Sequence, residues 1–264
     1  MFAALSVPQA LAVPQTMCGH VCHAVPEAVP EADPEAVPRV IPDIAKIKKA
    51  LSKRKSSKGT TKLRVAVVFA GRATCYEETY EWFFKLYDKY AVDFYCSIST
   101  ELDDYYKKFL DLYSIKKYKF GTMSEPKFET PTLVNINASD MFYNWKEAVD
   151  LVPQDEYDVI LYARADMVCT DDIDLSVAKG LDNVVFIPSE YDWGGTNDQM
   201  AFGTPSAMFK YSRLYDFIPE YIVNQMCTFN AETTLYNHLR SVGLDVRRFN
   251  LAYHLHPKRH DEIA

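Results

Sequence analysis

No apolar run in this 264-residue sequence reaches the ~18 residues that a membrane-spanning helix needs, so no such helix is expected. The opening MFAALSVPQALAVP is apolar but has no basic residues ahead of it, and proline interrupts it twice. A secretory signal is therefore disfavoured, and a cytoplasmic location is expected over the secretory pathway. Also missing are GxGxxG and GxxxxGK[ST], which removes the usual support for a dinucleotide fold or a P-loop. There is no HExxH, no GxSxG and no paired CxxC, so hydride transfer, serine hydrolysis and ATP-driven work have no motif behind them. The six cysteines include only one close pair, Cys18 and Cys22. Cys75, Cys96 and Cys169 fall in or beside strand-like stretches, which suits buried, reduced thiols better than a disulfide framework.

What the sequence does have begins with a leader. Residues 24–38, AVPEAVPEADPEAVP, repeat a Pro-Glu-Ala-Val unit with no apolar periodicity, the composition of an extended, solvated linker. KIKKALSKRKSSKGTTK at 46–62 carries eight Lys or Arg and no acid; it is a basic tether with a capacity for weak contact with an anionic membrane surface. Residues 1–62 hold nine basic and five acidic residues, a net +4, against 20 basic and 31 acidic in the remainder, a net −11. The two parts are expected to be separate: a disordered leader over 1–62 and one folded domain over 63–264. An acidic domain is a poor match for nucleic acid, whose phosphates need clustered cations.

From Leu63 apolar strands alternate with amphipathic helices. LRVAVVFAG, VDFYCSIS, KKYKFG, TLVNI, YDVILYA, VVFIPS, QMAFGT and DVRRFN read as strands. CYEETYEWFFKLYDKY, residues 101–113, MFYNWKEAVDLV, PSAMFKYSRLYDF and NAETTLYNHLRSVG read as helices. This alternation predicts an α/β fold with a mostly parallel central sheet flanked by helices. In such sheets ligands sit beyond the carboxyl ends of strands, where Gly71-Arg72 and Arg164-Ala-Asp166 both fall. An arginine fork suits a diphosphate. A carboxylate beside that diphosphate calls for a bridging Mn²⁺ or Mg²⁺. Asp166 is thus the candidate metal ligand, and Gly71, Arg72 and Arg164 the candidate nucleotide contacts. The acidic run Thr170-Asp-Asp-Ile-Asp174 also holds a D-x-D, but it stands before LSVAKGL, where a cap and a solvated turn account for it.

The blocks VAVVFAGRATCYEETYEWF, YNWKEAVDLV, YDVILYARADMV, NDQMAFGTPSAMFKY and AETTLYNHL occur in an order that resembles the nucleotide-sugar-dependent glycosyltransferases of the GT-A fold. They are most similar to the small glycosyltransferases encoded by large algal DNA viruses. The similarity spans residue 63 to about 256. It implies a GT-A-like domain that moves a sugar from a UDP-sugar to a hydroxyl of a glycan or glycoprotein, in the host cytoplasm if the protein is viral. Position 166 matches the last Asp of the family's strand-end acidic motif, while position 164 is Arg where a second acid is common. The family also implies a C-terminal histidine at the metal, for which His254 and His256 are candidates, set two apart after the last strand. Asp198, following Tyr191-Asp-Trp-Gly-Gly195 in a loop expected to be mobile, is the preferred catalytic carboxylate. Glu232, in the first turn of its helix, is the second candidate. A sugar nucleotidyltransferase and a non-catalytic carbohydrate- or nucleotide-binding protein of the same fold are the alternatives.

Overall fold

In the first strand, β1 (Arg64–Gly71), odd and even positions are both fully buried over Val65–Phe69. Val65, Val67 and Phe69 enter one apolar core while Ala66, Val68 and Ala70 enter another. A strand whose two faces are both covered must lie inside a layered sheet, and a continuous apolar run is its sequence form. The same division holds in β4 (Val159–Ala163), where Val159 and Leu161 face one core and Ile160 and Tyr162 the other.

The computed structural model describes residues 62–121, 136–223 and 230–256, with Asp43, Ala45, Lys46 and Lys49. The central sheet has seven strands in the order β3-β2-β1-β4-β7-β6-β8. The remaining members are β2 (Ala91–Ile98), β3 (Lys117–Phe120), β6 (Val184–Pro188), β7 (Met200–Gly203) and β8 (Asp245–Phe249). All neighbours pair parallel except β7, which runs antiparallel to both β4 and β6. The expected α/β architecture, mostly parallel and flanked by helices, is the observed one.

Helices α1 (Tyr76–Lys89) and α2 (Asp104–Tyr113) cover one face. In α1 the buried Tyr76, Thr79, Phe83, Leu86 and Tyr87 follow the 3.6-residue period, with Glu77 and Glu78 in the first turn and Lys89 in the last, as the helix dipole favours. Phe69 is the hub of this face, its ring centroid 4.8 Å from Phe83, 4.9 Å from Tyr113 and 5.7 Å from both Phe94 and Phe109. Truncating such a residue to alanine costs about 3–5 kcal/mol. The other face carries α3 (Ile136–Asp150), α4 (Pro205–Ser212), α5 (Leu214–Val223) and α6 (Ala231–Ser241).

Three details differ from the sequence expectation. The helix expected over PSAMFKYSRLYDF is two helices, broken at Arg213 (φ −73°, ψ 0°); α4 packs on α3, β6 and β7, whereas α5 packs on α3 and α6. Two short strands escaped the pattern: β5 (Met167–Cys169) and β9 (Tyr253–Leu255) form an antiparallel ribbon. At three residues each they are too short to show a period. The strand expected at TLVNI lies outside the described residues apart from Ile136, which already belongs to α3. The expected leader over 1–62 likewise lies almost wholly outside them. Cys75, Cys96 and Cys169 are buried, and among the described residues no helix is long and apolar enough to cross a membrane.

Candidate functional site

The chain runs outward from β1 through β2 to β3, then crosses back to place β4 on the other side of β1. The β1–β4 junction is therefore a topological switch point, where the loops leaving the two strands diverge and open a crevice at their carboxyl ends. Phe69 pairs with Ala163 in register, so Gly71-Arg72 and Arg164-Ala-Asp166 leave the sheet on the same rim. Gly71 has φ +87° with open space where a Cβ would stand, a conformation that glycine adopts freely. Arg72 follows it, exposed.

β7 brings the third component. It runs antiparallel to β4 with Met200 opposite Ala163, so the residues just before Met200 lie at that same rim. The Arg164 amide donates to the Gln199 carbonyl at 3.2 Å. Asp198 is half-buried, and its carboxyl is pushed up from its usual 3.8 to about 6, first by burial and then by the negative charge of Glu232, with Arg164 pulling the other way. The structure thus brings Asp198, Glu232 and Arg164 into one electrostatic neighbourhood, although they are far apart in the chain.

Asp166 is 3% exposed. Both of its carboxylate oxygens are occupied: Arg164 Nε donates to Oδ1 at 2.9 Å and a terminal guanidinium nitrogen to Oδ2 at 2.7 Å. Burial works against the guanidinium's charge, but the Asp166 hydrogen bonds and charge outweigh it and hold its pKa above the usual value. The two residues at the tip of β4 are therefore a fork-to-fork ion pair. A Mn²⁺ or Mg²⁺ ion at Asp166 would need oxygens that Arg164 already holds. The candidate histidines do not complete a donor set there either. His254 is exposed, in register with Val168, while His256, one residue past β9, pairs with Glu78. Its backbone amide does reach the Asp166 carbonyl at 2.8 Å. The residues present do not fit a hard divalent ion held by Asp166, His254 and His256 together.

The rest of the acidic run has structural work. Asp171 accepts from the Ala252 amide at 2.9 Å and so ties the ribbon's two strands together. Asp172 meets Lys89 at 3.0 Å on the surface, and Asp174 caps the short 3₁₀ turn Leu175–Ala178 by accepting from the Ser176 amide. The D-x-D at 172–174 is a cap and a surface pair, as its position before LSVA suggests.

The loop from Tyr191 to Asn197, expected to be mobile, is tied down. Asn197, which sequence reasoning passed over, accepts from the Gln199 amide at 2.8 Å and donates through its side-chain nitrogen to the Glu190 carbonyl and the Tyr253 hydroxyl. Its own amide donates to Asp192, which also accepts from Arg248. Asn197 therefore organises the turn, while the Asp198 carboxylate meets its own backbone amide, a contact that works against its raised pKa. The neighbouring Tyr191, Trp193 and Gly194 all have positive φ, and Trp193 is 70% exposed. At the loop's far end, a Cβ on Gly195 would stand 2.2 Å from the backbone carbon and oxygen of Glu232. Glycine alone admits this approach, which lets the Thr196 amide donate to the Glu232 carbonyl at 3.0 Å. Gly195→Ala is expected to cost about 1–3 kcal/mol, read as a lower melting temperature. By parting Asp198 from Glu232 it should also lower the Asp198 pKa in an NMR or kinetic titration.

No family model matches the chain, and no curated protein matches it. Among solved structures the chain is similar to a protein from Bacillus anthracis described as a glucose-1-phosphate thymidylyltransferase, in complex with a sucrose (10% identity, TM-score 0.40, covering 72% of this chain and 88% of that one). It is similar to the apo glycosyltransferase GlyE of Streptococcus pneumoniae TIGR4 (12% identity, TM-score 0.41), over 70% of this chain and 45% of that chain. It is also similar to apo xyloside xylosyltransferase 1 of mouse (11% identity, TM-score 0.42, covering 71% of this chain and 85% of that one). By its own architecture the protein belongs to the layered α/β class, with charged side chains gathered at a switch-point rim.

Proposed function

We propose that this protein is a glycosyltransferase that moves a sugar from a nucleotide-diphosphate donor, by preference a UDP-sugar, to a hydroxyl of a glycan or glycoprotein. The observation that carries this reading is Asp198. It is a half-buried carboxylate at the rim of the β1–β4 crevice, with its pKa raised to about 6 by burial and by Glu232. A carboxylate of that basicity is matched to accepting a proton from a hydroxyl near neutral pH, far better than an ordinary aspartate. The resemblance of the sequence blocks to GT-A glycosyltransferases supports the same assignment.

In this mechanism Asp198 takes the acceptor's hydroxyl proton as its oxygen attacks the anomeric carbon, and the bond to the nucleoside diphosphate breaks. Glu232 raises the basicity of Asp198 through its charge. The departing diphosphate gathers negative charge, which Arg72 and Arg164 at the strand ends would offset. Tyr191 and Trp193, the exposed aromatics of the loop, offer faces on which a sugar can stack. One displacement with one base inverts the anomeric carbon.

Incubating the protein with a panel of UDP- and GDP-sugars and glycan acceptors tests this. Release of the nucleoside diphosphate with a new glycosidic bond is expected. Release of pyrophosphate from a sugar phosphate and a nucleoside triphosphate would make it a nucleotidyltransferase instead, and binding without turnover would leave a sugar-binding protein. The pH profile gives a finer check. The acidic limb of kcat/KM should turn near pH 6. Glu232→Gln removes a charge that raises that pKa, so the limb should move to lower pH; an unmoved limb would exclude Glu232 as the neighbour that tunes Asp198.

A further inference from the structure

We propose that Cys75, Glu78 and His256 form a binding site for a divalent cation of Zn²⁺ type, with a fourth position for water or an anionic oxygen. One ligand atom from each residue lies within 4.8 Å of the other two, and this is the three-donor group found among the described residues. Ligands on a tetrahedral ion with bonds of about 2.0–2.3 Å stand roughly 3.3–3.8 Å apart, so an ion would part the His256–Glu78 pair, already in contact, and draw in the ligand atom at the outer limit, shifts of about an ångström. A thiolate, an imidazole and a carboxylate are a borderline-soft set. They favour Zn²⁺ or Co²⁺ over Mg²⁺ and Ca²⁺, which prefer oxygen throughout.

Three separate parts of the fold hold the donors in place. Cys75 precedes α1 in the left-handed region (φ 58°) and offers no side-chain cap to that helix. Its amide donates to the Tyr105 hydroxyl at 3.1 Å, and that hydroxyl donates in turn to Glu77 at 3.1 Å. The Glu78 amide donates to the Cys75 carbonyl at 3.0 Å, which fixes the first turn and with it the i, i+3 spacing of the two side chains. His256 arrives from the opposite end of the domain. The β5–β9 ribbon delivers it, and its amide is held by the Asp166 carbonyl at 2.8 Å. Its imidazole already faces the Glu78 carboxylate. These backbone hydrogen bonds fix the chain that carries the three ligands before the ion arrives. Cys75 is buried, Glu78 exposed and His256 half-buried, so the cluster has a buried floor and a side open to solvent. None of this rests on glycosyl transfer, and the test needs no sugar.

The test uses the full chain carrying Cys18→Ser and Cys22→Ser, so that the leader's thiols contribute nothing, stripped of metal by a chelator and titrated with Co²⁺. One Co²⁺ per chain is expected, with a thiolate-to-cobalt charge-transfer band in the near ultraviolet. The band should vanish in Cys75→Ser. His256→Ala and Glu78→Gln should each weaken binding by about 10-fold or more; the thiol remains in both, and the two substituted side chains lie at the open edge. Zn²⁺ at a hundred times its Kd should raise the melting temperature by about 5–10 °C, and Mg²⁺ at the same concentration should not. No charge-transfer band in the parent, or an equal band in Cys75→Ser, would overturn the site. Co²⁺ affinity unchanged in both His256→Ala and Glu78→Gln would overturn it as well, leaving an ordinary His–Glu pair beside a buried thiol.

Discussion

Asp198→Asn is expected to lower kcat by about 10²-fold or more, with UDP binding within a few-fold of wild type. The side chain keeps its shape and loses the charge and basicity that the transition state uses, so the loss belongs to kcat rather than to nucleotide affinity. The same variant should be more stable, not less. The folded-state pKa, about 6, lies above the usual 3.8, so the folded chain holds the extra proton between those values. Stability from this group is fully present below about pH 4 and is lost as pH rises through 6, by at most about 3 kcal/mol. At pH 8 Asp198→Asn should therefore melt above wild type, and at pH 4 close to it. An inactive variant that is also more stable at pH 8 is the pattern of a strained functional group. Near-normal turnover would pass the role to Glu232.

Arg164→Met should be the most destabilising single change at the rim. It strips both hydrogen-bond donors from the Asp166 carboxylate, whose side chain is 4% exposed. An uncompensated buried charge costs about 3–5 kcal/mol, which for a domain of this size lowers the melting temperature by about 6–20 °C. Adding Asp166→Leu removes the orphaned charge, and the double variant should regain most of that loss, because well-packed apolar pairs replace buried ion pairs at little cost. Neither variant should regain nucleotide affinity, since the arginine is absent from both. Stability and affinity thus separate in one double-mutant cycle. If the single variant melted like wild type, the fork would be a surface pair of small worth. If the double variant bound UDP normally, Arg164 would have no part in the nucleotide site.

The alternation of strands and helices, the two covered faces of β1 and β4, and the placement of Gly71-Arg72 and Arg164-Ala-Asp166 at strand ends were all legible in the sequence. Each follows from local periodicity and from where it stops. The cap at Asp174 was legible for the same reason, because a cap is a contact between near neighbours. The helix break at Arg213 was not, since the apolar pattern continues across it and only packing on different partners decides where it bends.

The pairing of Asp166 with Arg164 marks the limit most clearly. Two residues apart, they could as well have pointed to a metal and a phosphate; only the geometry at the tip of β4, where burial demands that the carboxylate be satisfied, turns them toward each other. Asp198 could be singled out as an acid at a rim, but its raised pKa depends first on burial and then on the charge of Glu232, whose backbone packs against Gly195 where a Cβ would not fit. The histidines divided likewise: alternation placed His254 and His256 together, while the β5–β9 ribbon carried His256 alone to Glu78 and Cys75. The sequence by itself determined the layers, the sheet and which rim carries charge, because those depend on hydrophobic period and strand length. Which charged groups meet there was decided only by the tertiary structure, because those contacts depend on how side chains turn at a buried strand tip or join residues far apart in the chain, and leave no periodic trace.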